Sequence, residues 1–276
     1  MERSALQDWL QGRTGKKIVP MVLYLAFFVL HLTLSSAAYL PSIDPNEFTS
    51  AALANMFTGA DWTAAMSRSD YFYGFLQSLL YVPVVFFIKD PFLQYQVMIA
   101  LNGLVMSFVP VIVYSCAHML GLEKLWQSVL AAVCCGGWMT YMIHSNFIWN
   151  ETAAMFLPWL TLWLLLRADM ADRKSTKAVR SVLLGIVAAL SYCAHQRLFA
   201  LILALAVTVL IMRTVFKRRT VSTAVFYVSL GAFLAAAVLV NYLVQLKLWE
   251  PPTRRSCRTP QRVFSPVCPQ CWKTTG

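Results

Sequence analysis

Residues 18–40 read IVPMVLYLAFFVLHLTLSSAAYL, a stretch without a single Lys, Arg, Asp or Glu. A helix rises about 1.5 Å per residue, so about 20 apolar residues cross the hydrocarbon core of a bilayer. The stretch is long enough to do so. Ser36 and Ala38 also supply the small residues of a signal-peptide cleavage pattern, but the run is long for such a leader and more apolar runs follow. It is therefore read as a first span. Uncharged or nearly uncharged runs recur at 71–88, 92–118, 125–143, 147–166, 181–195, 198–212 and 221–246. Of the 276 residues 59% are apolar and 13% charged, and the mean hydropathy is +0.60. That is too little polar surface to cover a soluble globule of this size. The expected fold is all-α, a polytopic transmembrane helix bundle forming one domain over residues 1–246.

The net charge of +11 does not point to nucleic acid. Lys and Arg cluster in short loops between apolar runs, which is how positive charge marks cytoplasmic loops. An arginine-rich stretch interleaved with aromatics, as a polyanion groove needs, is missing. Arg3, Arg13, Lys16 and Lys17 precede the first span, so the N-terminus is expected in the cytoplasm. The loops Arg167–Arg180, with five Lys or Arg, and Arg213–Arg219, with four, should also lie inside. If every apolar run crossed, the first of these loops would fall on the wrong side. One run must stay out of the count. The best candidate is YFYGFLQSLLYVPVVFFI, residues 71–88, which is short, starts with aromatics, carries Pro83 and lies between Arg68 and Lys89. Residues 41–91 then form one long outer loop with interfacial helices, and about seven spans remain.

The same parity brings three polar clusters to the outer face: Asp44 with Glu47, Asn150 with Glu151, and His195 with Arg197. Asp44, Pro45 and Glu47 also spell a helix start, with the acid three residues after the cap. Glu151 fits the N-terminus of a helix, where an acid complements the macrodipole. Arg197 departs from the inside placement of the other cations, and a guanidinium at headgroup depth suits a lipid phosphate. His118 and His144 are isolated and read as structural, and Trp159 and Trp163 as packing or lipid contacts. Cys116, Cys134, Cys135 and Cys193 read as small buried hydrophobes. Cys257, Cys268 and Cys271 lie in a basic, Pro-containing tail at 247–276, where CPQC is half of a zinc-knuckle spacing without its second half. There is no Walker loop, dinucleotide fingerprint or HExxH.

Five stretches carry a resemblance: DPNEFTSAALANMFTG from Asp44, DYFYGFLQSLLYVPVVFF from Asp70, LNGLVMSFVPVIVYSCAHMLG from Leu101, SNFIWNETAAMFLPWLTLWLLLRA from Ser145 and LSYCAHQRLFALILALAV from Leu190. In this order they resemble the GT-C superfamily of membrane glycosyltransferases, in particular its protein O-mannosyltransferase and aminoarabinose-transferase-like branch. The resemblance covers residues 18–215, and its specificity lies in the ordered set. It implies a multi-pass protein of the plasma membrane, serving the cell envelope, that takes a sugar from a polyprenyl-phosphate donor and passes it to a hydroxyl of a lipid, glycan or protein acceptor. The family's catalytic base is a carboxylate in the first outer loop. Its adjacent Asp-Glu pair appears here as Asn46-Glu47 with Asp44 two residues earlier, so the role falls to Asp44 or Glu47. Glu151 matches a second acidic position, and Asn150, His195 and Arg197 are the implied substrate contacts.

A sugar on a lipid phosphate already has a good leaving group, so one base suffices, in contrast to the two carboxyl groups of glycoside hydrolysis. A positioned carboxylate that takes the acceptor proton is worth ~10² to 10⁴ in rate, and Arg197 would stabilise the departing phosphate. A single displacement inverts the anomeric centre. Should a divalent cation take part, Asp44 and Glu151 would be its ligands. Family members usually continue with further spans and an outer C-terminal portion, whereas the resemblance here stops before the tail. Two other readings compete: a transporter or flippase component, for which charges near helix centres would be expected, and an inactive truncated remnant.

Overall fold

A computed structural model describes residues 15–35, 45–62, 72–122 and 124–248. Among the described residues the regular structure is entirely helical: α1 (Gly15–Ser35), α2 (Pro45–Phe57), α3 (Leu76–Phe87), α4 (Pro91–Met106), α5 (Phe108–Met119), α6 (Leu125–Gly136), α7 (Met139–His144), α8 (Glu151–Asp169), α9 (Lys174–Ala194), α10 (Phe199–Thr214) and α11 (Thr223–Leu248), with a 3₁₀ turn at Gln196–Leu198. The chain is an all-α helical bundle of membrane type. Five segments are long and apolar enough to cross a bilayer: Ile18–Ser35, Pro91–Met119, Lys174–Ala194, Gln196–Thr214 and Thr223–Leu246.

These five coincide with five of the seven expected spans. The run at 147–166 is the 19-residue helix α8, which carries Glu151 in its first turn and Arg167 in its last. The run at 125–143 departs from the expectation of one helix. It ends as α6 at Gly136 and resumes as α7 after Gly137 and Trp138, because successive glycines supply little helix propensity. The long span Pro91–Met119 bends at Ser107, whose hydroxyl donates to the Gly103 carbonyl at 2.5 Å. Pro110 has no N–H to offer the Met106 carbonyl four residues earlier. Residues 71–88 contribute α3, whose 12 residues reach about 18 Å, short of the ~30 Å hydrocarbon core.

The bundle has two packed halves. In one, α8 to α11 enclose Leu164, Leu184, Ala188, Ile202, Leu205 and Phe226. Gly185 allows the closest approach there, since a Cβ at this position would lie 3.0 Å from the Leu230 nitrogen of α11. Small residues at such a crossing let helix backbones approach in lipid. In the other half, α1 and α6 pack on α5 through Leu23, Tyr114 and Ala132. Over one end lies a cap: α2 and α3 meet the first turns of α4 through Ala54, Tyr81, Val84, Tyr95, Met98 and Ile99.

Charge separates along the bundle axis. At one end Lys177 donates to the Arg219 carbonyl at 2.9 Å, Arg218 pairs with Asp169 at 2.5 Å, and Arg180 hydrogen-bonds the Arg167 carbonyl. The basic loops 167–180 and 213–219 therefore share this end, together with Pro20 near the start of α1. The capped, opposite end holds Glu47, Asn150, Glu151, His195 and Arg197. Of the four cysteines in the apolar runs, Cys116 and Cys193 are buried as expected, Cys135 is half-buried, and Cys134 stands on the outer face of α6, where bilayer rather than protein would surround it. Asp44, Arg68 and the tail cysteines Cys257, Cys268 and Cys271 lie outside the described residues.

Candidate functional site

The capped end is assembled by side chains reaching between segments far apart in sequence. α2 starts at Pro45, where proline's preset φ and missing N–H suit a first helical turn. Glu47 does not look like a capping residue closing on its own helix. It is buried, and its Oε1 accepts from the Tyr95 hydroxyl at 3.0 Å and from the Ile148 N–H at 3.2 Å. One carboxyl group thus ties α2 to α4 and to the segment leading into α8. Hydrogen bonds to a charged acceptor are among the stronger ones available to a buried group.

One turn further along α2, Ser50 Oγ donates to Asn150 Oδ1 at 3.3 Å, and Asn150 Nδ2 donates to the Gly74 carbonyl at 3.4 Å. Asn150 stands immediately before α8 but caps nothing with its side chain. The donors at that helix start are met from elsewhere: Gln77 Oε1 accepts from Ala153 N–H at 3.1 Å, satisfying one of the N–H groups a helix leaves without an internal partner. Gln77 Nε2 in turn donates to Asn102 Oδ1 at 2.7 Å, the Tyr81 hydroxyl does the same at 2.7 Å, and Asn102 Nδ2 donates to the Phe147 carbonyl at 2.7 Å. Sequence reasoning passed over Gln77, Tyr81 and Asn102. The available signal was three uncharged polar groups inside apolar runs, a costly choice unless they satisfy one another.

The third polar cluster joins through the backbone. Phe75 N–H donates to the Cys193 carbonyl at 2.8 Å and Gln196 N–H to the Tyr73 carbonyl at 2.9 Å, so residues 73–75 run alongside the end of α9. Gly74 lies between these bonds, and a Cβ there would stand 2.1 Å from the Cys193 oxygen. His195 is buried, its ring stacked on Tyr73 at 4.7 Å between centroids, with Nδ1 accepting from Arg197 N–H at 3.2 Å. Burial, and secondarily the Arg197 charge, push its pKa below the ordinary histidine value. The neutral ring therefore serves as an acceptor that shapes the 3₁₀ turn. The Arg197 guanidinium lies 5.5 Å from the Tyr73 ring centre, exposed and in no ion pair among the described residues.

Glu151 begins α8 as expected, where the helix dipole favours an acid. Its Oε2 is buried and meets no hydrogen-bond partner among the described residues, and the same holds for the indole N–H of Trp149 two residues earlier. Glu47, Asn150, Glu151, His195 and Arg197 are thus gathered at one end of the bundle, and Asp44, one residue before α2, lies outside the described residues. His144 caps inward onto the Thr140 carbonyl at 2.8 Å, and Trp159 and Trp163 bridge helices through Tyr141 and Ser115. Among the described residues no three His, Cys, Asp or Glu side chains come together. Of the two expected cation ligands only Glu151 is among the described residues.

No family model, curated protein or solved structure matches the chain.

Proposed function

We propose that the protein is a membrane glycosyltransferase that moves a sugar from a polyprenyl-phosphate carrier to an acceptor hydroxyl at the capped end of the bundle, on the outer face of the plasma membrane. The observation that carries this reading is the meeting of the loop after α1, the start of α8 and the α9–α10 turn at the end opposite the basic loops. Positive charge favours the cytoplasmic side, so the capped end would face outward. Buried polar groups left without a partner are costly and are commonly retained where a ligand completes them. Among the described residues Glu151 Oε2 and Trp149 Nε1 are such groups.

Within this reading the roles divide by accessibility. Glu47 is engaged by Tyr95 and Ile148 and is buried, so it acts as a positioning residue that sets the start of α2. The base is then Asp44, which takes the proton of the acceptor hydroxyl as its oxygen forms the new bond to the anomeric carbon and the phosphate leaves with the electron pair of the old one. Arg197, exposed and without an ion pair among the described residues, faces the charge that builds on the phosphate. Purified protein incubated with polyprenyl-phosphate sugars and a mixture of hydroxyl acceptors should transfer sugar. Asp44→Asn should lower the rate by ~10² or more, Arg197→Ala should lower it through the donor KM, and Glu47→Gln should weaken stability more than rate. Equal transfer by wild type and all three variants would remove the assignment.

A further inference from the structure

At the end opposite the proposed reaction site, α1 and α8 flank α5 on two sides, and a cavity of about 860 Å³ opens between them. Its walls are apolar for most of their length: Phe108, Val111 and Ile112 from α5 face Phe156 and Leu160 from α8. From Phe156 to Arg167 the helix advances about 16 Å at ~1.5 Å per residue, roughly half of the ~30 Å hydrocarbon core. The groove is therefore about one leaflet deep. One turn below the mouth, Trp163 Nε1 donates to Ser115 Oγ at 3.1 Å, which satisfies two of the polar groups in the wall.

The mouth has a different chemistry. Arg167 lines it, its guanidinium 5.2 Å from the Trp163 ring centre, and the indole face holds the cation over the groove. Arg180 of α9 does not line the cavity, but its guanidinium donates to the Arg167 carbonyl and so brings a second cation to the same end of α8. His118, edge-on to Tyr114 with 4.6 Å between ring centroids, and Pro20 of α1 complete the rim. Among the described residues neither Arg167 nor Arg180 is in an ion pair, whereas Arg218 nearby is neutralised by Asp169. A guanidinium at the mouth of a mostly apolar, leaflet-deep slot, with a second one beside it, matches a phosphate carried on an acyl chain.

We propose that this groove binds an anionic glycerophospholipid, one acyl chain lying along α5 and α8 and the phosphate held by Arg167 and Arg180. Such a site is independent of the sugar-transfer reading, because it lies at the other end of the bundle and uses none of its residues.

Native mass spectrometry and thermal unfolding of the detergent-purified full chain, delipidated and then supplied with phosphatidylglycerol, phosphatidylcholine or inorganic phosphate alone, test it. Phosphatidylglycerol should be retained and should raise the unfolding midpoint, while the other two should not. Loss of a single cation should weaken retention about fivefold, since one Lys or Arg near an anionic surface is worth ~1 kcal/mol. Arg167→Gln and Arg180→Gln should each show this, and Arg213→Gln, at the same end but off the groove, should not. Leu160→Trp, which fills the slot and spares both arginines, should also lose the lipid. Equal retention of the two lipids, full stabilisation by inorganic phosphate, or undiminished binding by both arginine variants would overturn the proposal.

Discussion

Single residues at the capped end show how far a sequence position determines a role. Glu47, Glu151, His195 and Arg197 are all conspicuous as polar groups beside apolar runs, but their surroundings differ. Glu47 is spoken for by Tyr95 and Ile148, and His195 by the Arg197 backbone, while Glu151 Oε2 has no hydrogen-bond partner among the described residues. For His195 the consequence is a pH dependence with a definite sign. Its folded pKa is depressed, so the stabilisation from its neutral ring is complete above the unfolded value of ~6.5 and is lost as pH falls from there through the folded value. Between pH 7.5 and 5 the wild-type unfolding midpoint should fall more than that of His195→Gln. Parallel declines would show that the ring does not titrate in the way its burial requires.

At the scale of elements, the seam between residues 73–75 and 193–196 governs whether α3 and α9 meet. It depends on a missing side chain. Gly74→Ala would drive a Cβ to within 2.1 Å of a backbone oxygen, a clash that no rotamer relieves, so a loss of about 2–3 kcal/mol is expected from overpacking. Gly231→Ala in α11 meets nothing within 4 Å and should gain a few tenths up to ~1 kcal/mol from helix propensity. Thermal unfolding of the two variants side by side checks both. A neutral Gly74→Ala would mean the two segments separate without consequence. The break between α6 and α7 belongs to this scale as well. An uncharged run at 125–143 promised one helix, and the Gly136-Gly137 pair inside it was the mark of two.

For the molecule as a whole, the separation of charge along the axis predicts its orientation. With the loops 167–180 and 213–219 inside, single cysteines placed in a cysteine-free background at the exposed positions Asp61 and Ser175 should differ in access. An impermeant thiol reagent added to intact cells should label the first and spare the second until the membrane is opened. Labelling of both, or of Ser175→Cys alone, would turn the capped end inward and leave a donor carrier with no outer site. The chain architecture accommodates such a rim because the 29-residue span Pro91–Met119 is about 43 Å long at ~1.5 Å per residue. It outruns the hydrocarbon core, and its first turns can support α2 and α3 above the lipid.

Composition and run length alone were enough to read the helical class and the bilayer environment, because twenty uncharged apolar residues in succession have few other stable homes. Charge asymmetry between loops was enough to pair the basic turns at one end. What lay beyond the sequence was the division of labour among polar groups. Whether Glu47 faces a substrate or a tyrosine, whether Gln77 serves its own helix or the start of α8, and whether a gap remains between α1 and α8 all depend on contacts between segments far apart along the chain. Local propensity carries no information about such contacts, since they exist only once the helices have packed.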